Sequence, residues 1–162
     1  MKKIICIIMG ILTLILCFTS CEKMEPERGK INAHSLYEQA MQQLKEDLGE
    51  NALERNLEYD DFDKTYSGIT DIAFNQLNIY QSTDPSVPAE IVICECMEKK
   101  DVKTVEKILN ERAAAMTKSE DKAVADAWSS NTSVTTNGLY VCMCCMPQGV
   151  EIPSCLILAL DK

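Results

Sequence analysis

The side chains best suited to chemistry in this sequence are cysteines, of which the 162 residues contain nine. Thiolates and thioethers are the ligands that select copper(I) or zinc, so stretches rich in cysteine and methionine could hold a soft metal or carry redox chemistry. Two such stretches are Cys94-Glu95-Cys96-Met97 and Cys142-Met143-Cys144-Cys145-Met146, and Cys155 follows them. A thiol-based metal or redox site is therefore one hypothesis.

The same cysteines also fit a structural role. Cysteine is among the most buried residue types and packs like a small apolar side chain. Alternate residues of a strand share a face, so Cys94 and Cys96 would line one side of one strand, and Cys142 and Cys144 one side of another. Structural zinc sites usually draw their ligands from Cys-x₂₋₄-Cys turns and not from strand interiors. Core packing is the leading interpretation, and disulfides between neighbouring strands are a further alternative outside the cytoplasm.

Acid–base chemistry would have to use an acidic cluster or the single histidine. The cluster comprises Glu58, Asp60, Asp61 and Asp63. A hydrolase would need two of these acids to converge with another, such as Glu90. Their spacing matches no calcium loop, and runs of charge usually face water, so we expect a solvated linker. His34 lies at the edge of a charged stretch, whereas catalytic groups need rigid placement, and we predict no catalytic residue.

The start of the chain has the features of an export signal. Lys2 and Lys3 precede an apolar run, Ile4 to Phe18, which is shorter than the ~20 residues that a membrane-spanning helix needs. A charged start, a short apolar run and small residues at its end are typical of a signal peptide. The run ends in Phe18-Thr19-Ser20-Cys21, which resembles the lipobox of bacterial lipoproteins, whose cysteine is diacylated before cleavage. We predict a signal peptide over residues 1–20 and a lipid on Cys21; an ordinary signal peptide or a retained helix are the alternatives.

The sequence after Cys21 predicts a tether followed by one domain. Residues 21–34 are charged and contain proline and glycine, which is typical of a flexible spacer, and residues 35–162 are long enough for a single domain with its own core. Loss of Lys2 and Lys3 lowers the net charge from −9 to −11. This charge disfavours binding to nucleic acid or to anionic lipid head groups through a basic patch. We expect the domain on the extracytoplasmic face of the cell membrane, held by lipid on Cys21.

Hydrophobic periodicity and turn residues predict the elements of the domain. The predicted elements are a helix over 36–48 with a Ser35–Glu38 capping box, strands over 72–80 and 90–97, a helix capped by Asp101, a short helix over 119–128, and a hairpin of 132–136 with 139–146. Asn137-Gly138 would form the centre of a type I′ turn. The C-terminal stretch fits either a helix or a strand. Because strands come in hairpins, we predict an α+β domain: a mostly antiparallel sheet of about four strands, with two to three helices on one face.

Several stretches between Asp61 and Val141 together resemble a known family. They are Thr65-Tyr66-Ser67-Gly68-Ile69, Ile79-Tyr80-Gln81-Ser82, Ala89-Glu90-Ile91-Val92-Ile93, Asp101-Val102-Lys103 through Leu109-Asn110-Glu111-Arg112, and Asn137-Gly138-Leu139-Tyr140-Val141. On these residues the chain resembles a family of small lipoproteins of Gram-positive anaerobes, called domain of unknown function 4358. The resemblance implies an envelope location and this fold, but no activity. It also implies an anaerobic setting, in which the cysteines would stay reduced.

The sequence thus predicts a lipid-anchored lipoprotein whose domain binds an envelope protein or a small ligand without catalysis and without a cofactor. Two alternatives stay open. One is a metal- or redox-handling lipoprotein that uses Cys94, Cys96, Cys142, Cys144 and Cys145. The other is an envelope hydrolase with carboxylate catalysis.

Overall fold

One antiparallel sheet organises the domain. A computed structural model describes residues 28–49, 53–54 and 61–158, and the predicted signal peptide and Cys21 lie outside these ranges. The strands are β1 (Leu53–Glu54), β2 (Phe74–Ser82), β3 (Glu90–Cys96), β4 (Thr132–Asn137) and β5 (Tyr140–Cys145), in the spatial order β1-β2-β3-β5-β4. The α+β class and the antiparallel sheet are confirmed; β1 adds a two-residue strand to the predicted four.

Helices cover both faces of this sheet. The helices in the described part of the chain are α1 (Ala33–Leu48), α2 (Phe62–Thr65), α3 (Lys99–Met116), α4 (Lys122–Ser130) and α5 (Ser154–Leu158), with a 3₁₀ turn at Ile69–Asp71. Every residue of β3 and β5 is buried, so apolar side chains point in both directions from the centre of the sheet. A sheet buried on both faces needs a layer on each, and the prediction that the helices share one face is wrong.

The two faces carry separate hydrophobic cores. On one face, α3 and α4 pack their apolar sides against alternate residues of the central strands. This first core includes Val92, Val105, Leu109, Trp128, Val141 and Met143. On the other face, α1 and α5 form a second core that includes Leu36, Ala40, Ile91, Ile93 and Leu156. The C-terminal stretch is therefore a short helix, and its Leu156 side chain completes the second core.

Helix starts differ from their predicted positions. Asn32 caps α1, because its side chain accepts a hydrogen bond from the Ser35 amide at 3.0 Å, and the predicted Ser35–Glu38 capping box is wrong. α3 begins at Lys99, so Asp101 lies within the first turn, where a carboxylate still favours the helix dipole. α4 is capped by Asp121, which accepts from two backbone amides. Asn32 and Ser35 have similar capping chemistry and lie close together in the sequence, and tertiary packing decides which of them caps the helix.

The second hairpin forms as predicted, but its turn is shifted by one residue. Asn137 pairs with Tyr140, so the two central residues are Gly138 and Leu139. Gly138 has φ +60°, and no described residue other than glycine has a positive φ. A positive φ at the first central position alone is the pattern of a type II′ turn, which requires glycine there. The predicted type I′ turn at Asn137-Gly138 is wrong for this reason.

The described fold includes residues before the predicted domain boundary at residue 35. Residues Arg28–Asn32, here called the N-terminal segment, hydrogen-bond to the sheet, and α1 already starts at Ala33. The predicted tether over 21–34 is thus too long at its C-terminal end, and its first seven residues, 21–27, lie outside the described part. Among the described helices, none has the length and apolar character to cross a membrane.

Candidate functional site

A buried ion pair lies where β3 begins. Glu90 points toward α3, and its side chain is only 4% exposed. Arg112 on α3 donates from Nη2 to Glu90 Oε2 at 3.0 Å and from Nε to Glu90 Oε1 at 3.4 Å. Arg112 is 19% exposed, so the pair is held largely away from water. A buried carboxylate and guanidinium must satisfy one another, which makes this pair a fixed feature of the fold.

Two neutral donors complete the environment of Glu90. The Tyr66 hydroxyl donates to Oε1 at 2.5 Å, and Gln81 Nε2 donates to Oε2 at 2.9 Å. Burial and the charge of Glu90 raise the pKa of Tyr66 well above its usual value, so the hydroxyl keeps its proton. Both carboxylate oxygens therefore accept from two donors each. A carboxylate held this way has little freedom to act as a general base.

Aromatic rings hold Arg112 in place. The centre of its guanidinium lies 5.3 Å from the ring centroid of Trp128 on α4 and 5.9 Å from that of Tyr66. Both distances fall within the range of cation–π attraction. Burial lowers the pKa of Arg112, but the attraction of Glu90 outweighs burial, and the pKa lies above its usual value. The guanidinium is therefore a permanent charge in a fixed position.

A cavity of about 300 Å³ opens beside this pair. Its polar side is formed by Gln81, Glu90 and Arg112, and its rim by the loop between β2 and β3. The other lining residues are Ser82, Thr83, Asp84, Pro85, Val87, Pro88, Ala89, Met116, Val124 and Trp128. Apolar walls with a few convergent polar groups are the usual form of a small-molecule site, and this volume is at the lower end of the usual range.

A second buried carboxylate, Glu95, lies at the opposite end and on the opposite face of β3. It is fully covered, by Asn75 and the N-terminal segment among others. Asn75 and Gln76 donate to Oε2 at 2.6 and 2.9 Å, and the Gly29 amide donates to Oε1 at 2.8 Å. Burial raises the pKa of Glu95, but these hydrogen bonds outweigh burial, and the pKa lies below its ordinary value of 4.5. Glu95 therefore binds the N-terminal segment as an anion.

Further hydrogen bonds fix the same segment along its length. Gln76 donates to the Ile31 carbonyl at 2.8 Å and accepts from the Ala33 amide at 2.9 Å. The Ile31 amide donates to the Tyr140 hydroxyl at 3.3 Å, and Arg28 donates to the carbonyl of Met97. Glu95 and Gln76 thus act together as a clamp on the chain just before α1.

The sheet divides the cysteines between its two faces. Cys94, Cys96 and Cys145 lie in the first core, whereas Cys142 and Cys144 lie in the second. β3 and β5 are neighbours, but Cys94 faces Val141 and Cys142 faces Ile93, so no cysteines stand directly opposite one another. The six described thiols are free.

The pKa values of five of these thiols are raised, and Cys96 is the exception, because a hydrogen bond with Cys94 lowers its pKa. Burial raises the pKa of Cys142 and of Cys145 to about 12, whereas metal ligation and nucleophilic attack need the thiolate. Across the described residues, no group of three or more histidine, cysteine or acidic side chains is arranged to hold a metal ion. The geometry agrees with the interpretation of these cysteines as core residues.

The acids proposed for hydrolysis have other partners. Glu58 and Asp60 lie outside the described residues. Asp61 pairs with Lys64, and Asp63 accepts from the Thr70 amide at 3.2 Å. Glu90, the proposed third acid, is engaged with Arg112 instead. His34 lies in the first turn of α1, exposed to solvent and 3.4 Å from Glu38. The described acids of the cluster therefore do not join Glu90 in a catalytic pair.

The fold defines an α+β domain with an antiparallel sheet between two helical layers, a clamp at one end and a cavity at the other. No family model, curated protein or solved structure matches the chain. The resemblance to the domain of unknown function 4358 stays a prediction. Sequence reasoning named Glu90 only in passing and missed Arg112, Tyr66 and Glu95. The available signal was a glutamate at each end of an otherwise apolar strand, since such residues are rarely buried unless paired.

Removal of one partner of the Glu90–Arg112 pair should cost more than removal of both. Glu90→Leu leaves a buried guanidinium unpaired, and we expect a loss of about 3–5 kcal/mol in the free energy of unfolding. The double variant Glu90→Leu with Arg112→Met should recover much of that loss. Urea denaturation measures both values, and Lys107→Met, an exposed change on the same helix, is the control. Equal losses in the single and double variants would contradict a buried pair.

Glu95 should make stability depend on pH in the acid range. Its pKa is lower in the folded chain than in the unfolded chain, so its contribution is complete above about pH 4.5 and is lost as the pH falls further. We expect the free energy of unfolding to fall more steeply with decreasing pH in the native chain than in Glu95→Gln. Trypsin should also cleave after Arg28 and Lys30 faster in the variant. Parallel pH curves would show that Glu95 is not the titrating group.

Thiol labelling should separate Cys155 from the core cysteines. In the chain from residue 21 with Cys21→Ser, Cys155 is half-buried and the other five thiols are buried. We expect one thiol to react with a maleimide in the native state and all six to react in denaturant, as counted by mass spectrometry. The Cys155→Ser variant should show no native reaction. Rapid native reaction of several thiols would rule out the core assignment.

Proposed function

We propose that the chain is a bacterial lipoprotein anchored by lipid on Cys21, whose domain binds a small uncharged ligand in the cavity beside Glu90 and Arg112. The cavity supports the binding half of the proposal, because it places a fixed guanidinium beside the apolar side chains of Met116, Val124 and Trp128. The signal-like start and the lipobox-like Phe18-Thr19-Ser20-Cys21 carry the anchoring half.

The charge balance of the site indicates the kind of ligand. Glu90 neutralises Arg112, so the pair adds no net charge to the cavity, and a charged ligand beside it would lose water without an unpaired counter-charge. The other charged lining residue, Asp84, is exposed to solvent, which screens its charge. Nε and Nη2 of Arg112 serve Glu90, and Nη1 takes no part in those bonds. We infer that Nη1 donates to a carbonyl or hydroxyl oxygen of the ligand, while its apolar part packs against Trp128, Met116 and Val124.

The arrangement favours recognition over catalysis. Glu90 accepts from Tyr66, Gln81 and Arg112, so a substrate proton would have to displace one of these donors. The guanidinium and the tyrosine hydroxyl both keep their protons, as the pKa shifts of Arg112 and Tyr66 indicate. Groups that are fixed and do not exchange protons suit the orientation of a bound molecule.

Anchoring is tested by replacement of the proposed lipidated cysteine. In cells that express the full chain, Cys21→Ala should abolish metabolic labelling with palmitate and move the protein out of the membrane fraction. Cys17→Ala is the matched control, because this cysteine lies four residues earlier within the apolar run and should leave labelling intact. A Cys21→Ala protein that stays in the membrane fraction would contradict lipid anchoring.

Ligand binding is tested through the single tryptophan, which lines the cavity. In a panel of small uncharged amides and peptides, a ligand should shift the emission of Trp128 and raise the melting temperature. Thr83→Tyr, at the exposed rim, should block both effects, whereas Thr104→Tyr, an exposed position on α3 away from the cavity, should not. Equal binding by the two variants would place the ligand elsewhere.

A further inference from the structure

The polar side of the cavity contains two atoms that Glu90 does not use. Gln81 donates to Glu90 from Nε2, and Arg112 donates to it from Nε and Nη2. A carboxylate only accepts hydrogen bonds, so the amide nitrogen of Gln81 must face Glu90, and the amide oxygen Oε1 must point away from it. Among the described residues, no hydrogen bond involves Oε1 of Gln81 or Nη1 of Arg112. One acceptor and one donor thus remain beside the buried pair.

Both of these atoms are accessible. Gln81 and Arg112 are partly buried residues. Within the described part of the chain, Thr132 Oγ1 is the one enclosed side-chain oxygen or nitrogen that lacks a partner, so Oε1 and Nη1 are not enclosed. Both side chains line the cavity. Gln81 and Arg112 therefore offer an acceptor and a donor to a molecule that enters it.

Glu90 holds the two groups side by side. Nε2 of Gln81 lies 2.9 Å from Glu90 Oε2, and Nη2 of Arg112 lies 3.0 Å from the same oxygen. These two nitrogen atoms can be no farther apart than the sum of the two distances, 5.9 Å. Oε1 shares a carbon with Nε2, and Nη1 shares a carbon with Nη2. One small group of a ligand can therefore pair with both side chains.

We propose that the cavity binds the primary carboxamide or lactam group of an apolar molecule. The carbonyl oxygen of the ligand accepts from Nη1 of Arg112, and its N–H donates to Oε1 of Gln81. This inference rests on the proposed function, the binding of a small uncharged ligand in this cavity. The rest of the ligand packs against Met116, Val124 and Trp128, which also line it.

The geometry of amides restricts the ligand to these two groups. In a primary carboxamide or a lactam the oxygen and an N–H lie on the same side, so the pair can meet two neighbouring side chains. In an open-chain secondary amide the trans bond places them on opposite sides. An ester has acceptors only, so Oε1 of Gln81 would stay unpaired against it. A carboxylate would bring a charge that the neutral Glu90–Arg112 pair does not compensate.

Ligand series that differ only in the polar group test this assignment. Each series contains the primary amide, the N-methyl amide, the methyl ester and the carboxylate of one apolar body, and the bodies are isobutyl, benzyl and indol-3-ylmethyl. The compounds are titrated into the ¹⁵N-labelled chain from residue 21 with Cys21→Ser. NMR follows the indole N–H of Trp128, the single tryptophan, as it lines the cavity.

In the series that bind, the primary amide should bind about tenfold more tightly than the ester and the N-methyl amide, because only the primary amide pairs with both side chains. The carboxylate should also bind more weakly than the primary amide. Equal affinities of the primary amide and the ester, or a preference for the carboxylate, would overturn the carboxamide assignment.

The variant Gln81→Met tests the acceptor itself. Methionine has a similar length but no amide oxygen, and Arg112 and Tyr66 still donate to Glu90. The ratio of amide to ester affinity should fall to about one. Gln42→Met, an exposed position on α1 outside this cavity, is the matched control and should keep the native ratio. A native ratio in Gln81→Met would overturn the role of Oε1.

The two proposals fail in different ways in this titration. If esters and amides move the Trp128 resonance with equal affinity, the cavity binds uncharged ligands but does not select a carboxamide. If no compound of the three series moves it, the proposed function is contradicted together with the carboxamide assignment.

Discussion

The burial of β3 on both faces is the constraint on which the domain depends. Its seven residues lie at the centre of the sheet, and they include a glutamate at position 90 and another at position 95. An ionised carboxylate away from water costs several kcal/mol unless hydrogen bonds and opposite charge compensate it. Each glutamate therefore gathers donors from distant parts of the chain. Glu90 fixes α3 to the sheet, and Glu95 fixes the N-terminal segment to it. The strand β3 therefore connects the N-terminal segment with α3.

The positions of these two carboxylates make the two ends of the domain different from each other. Successive residues of a strand alternate between faces, so an even and an odd position place Glu90 on the α3 side and Glu95 on the α1 side. They also stand at opposite ends of β3. Glu90 accepts hydrogen bonds from Tyr66, Gln81 and Arg112, and a cavity lies beside it under the β2–β3 loop. Glu95 accepts from the Gly29 amide and from the Asn75 side chain, and the first of these bonds holds the N-terminal segment at the opposite end of β3.

The sequence predicts those elements whose position depends on local chemistry. It predicts less well the features that depend on tertiary packing, such as the helix caps and the face on which each helix lies. The antiparallel class, the central strands and the second hairpin followed from alternation and from Gly138, whose positive φ restricts the turn to few arrangements. The helix caps were misplaced because Asn32, Ser35 and Asp101 offer similar local bonds. The helices were assigned to one face because β5 was not recognised as buried on both sides. Arg112 and Tyr66 could not be linked to Glu90, since their proximity depends on how α3 and the α2 region pack on β3.

Amide hydrogen exchange at the clamp tests the central claim most directly. The Gly29 amide donates to Glu95, and the Ile31 amide donates to Tyr140, three residues or more before the first intrahelical bonds of α1. In the chain from residue 21 at neutral pH, exchange monitored by NMR should show both amides protected relative to an unstructured chain, and Glu95→Leu, which leaves the Gly29 amide no side-chain acceptor at this position, should remove the protection at Gly29. Exchange of both amides at the unstructured rate in the native chain would contradict the account, because β3 would then not hold the start of the domain.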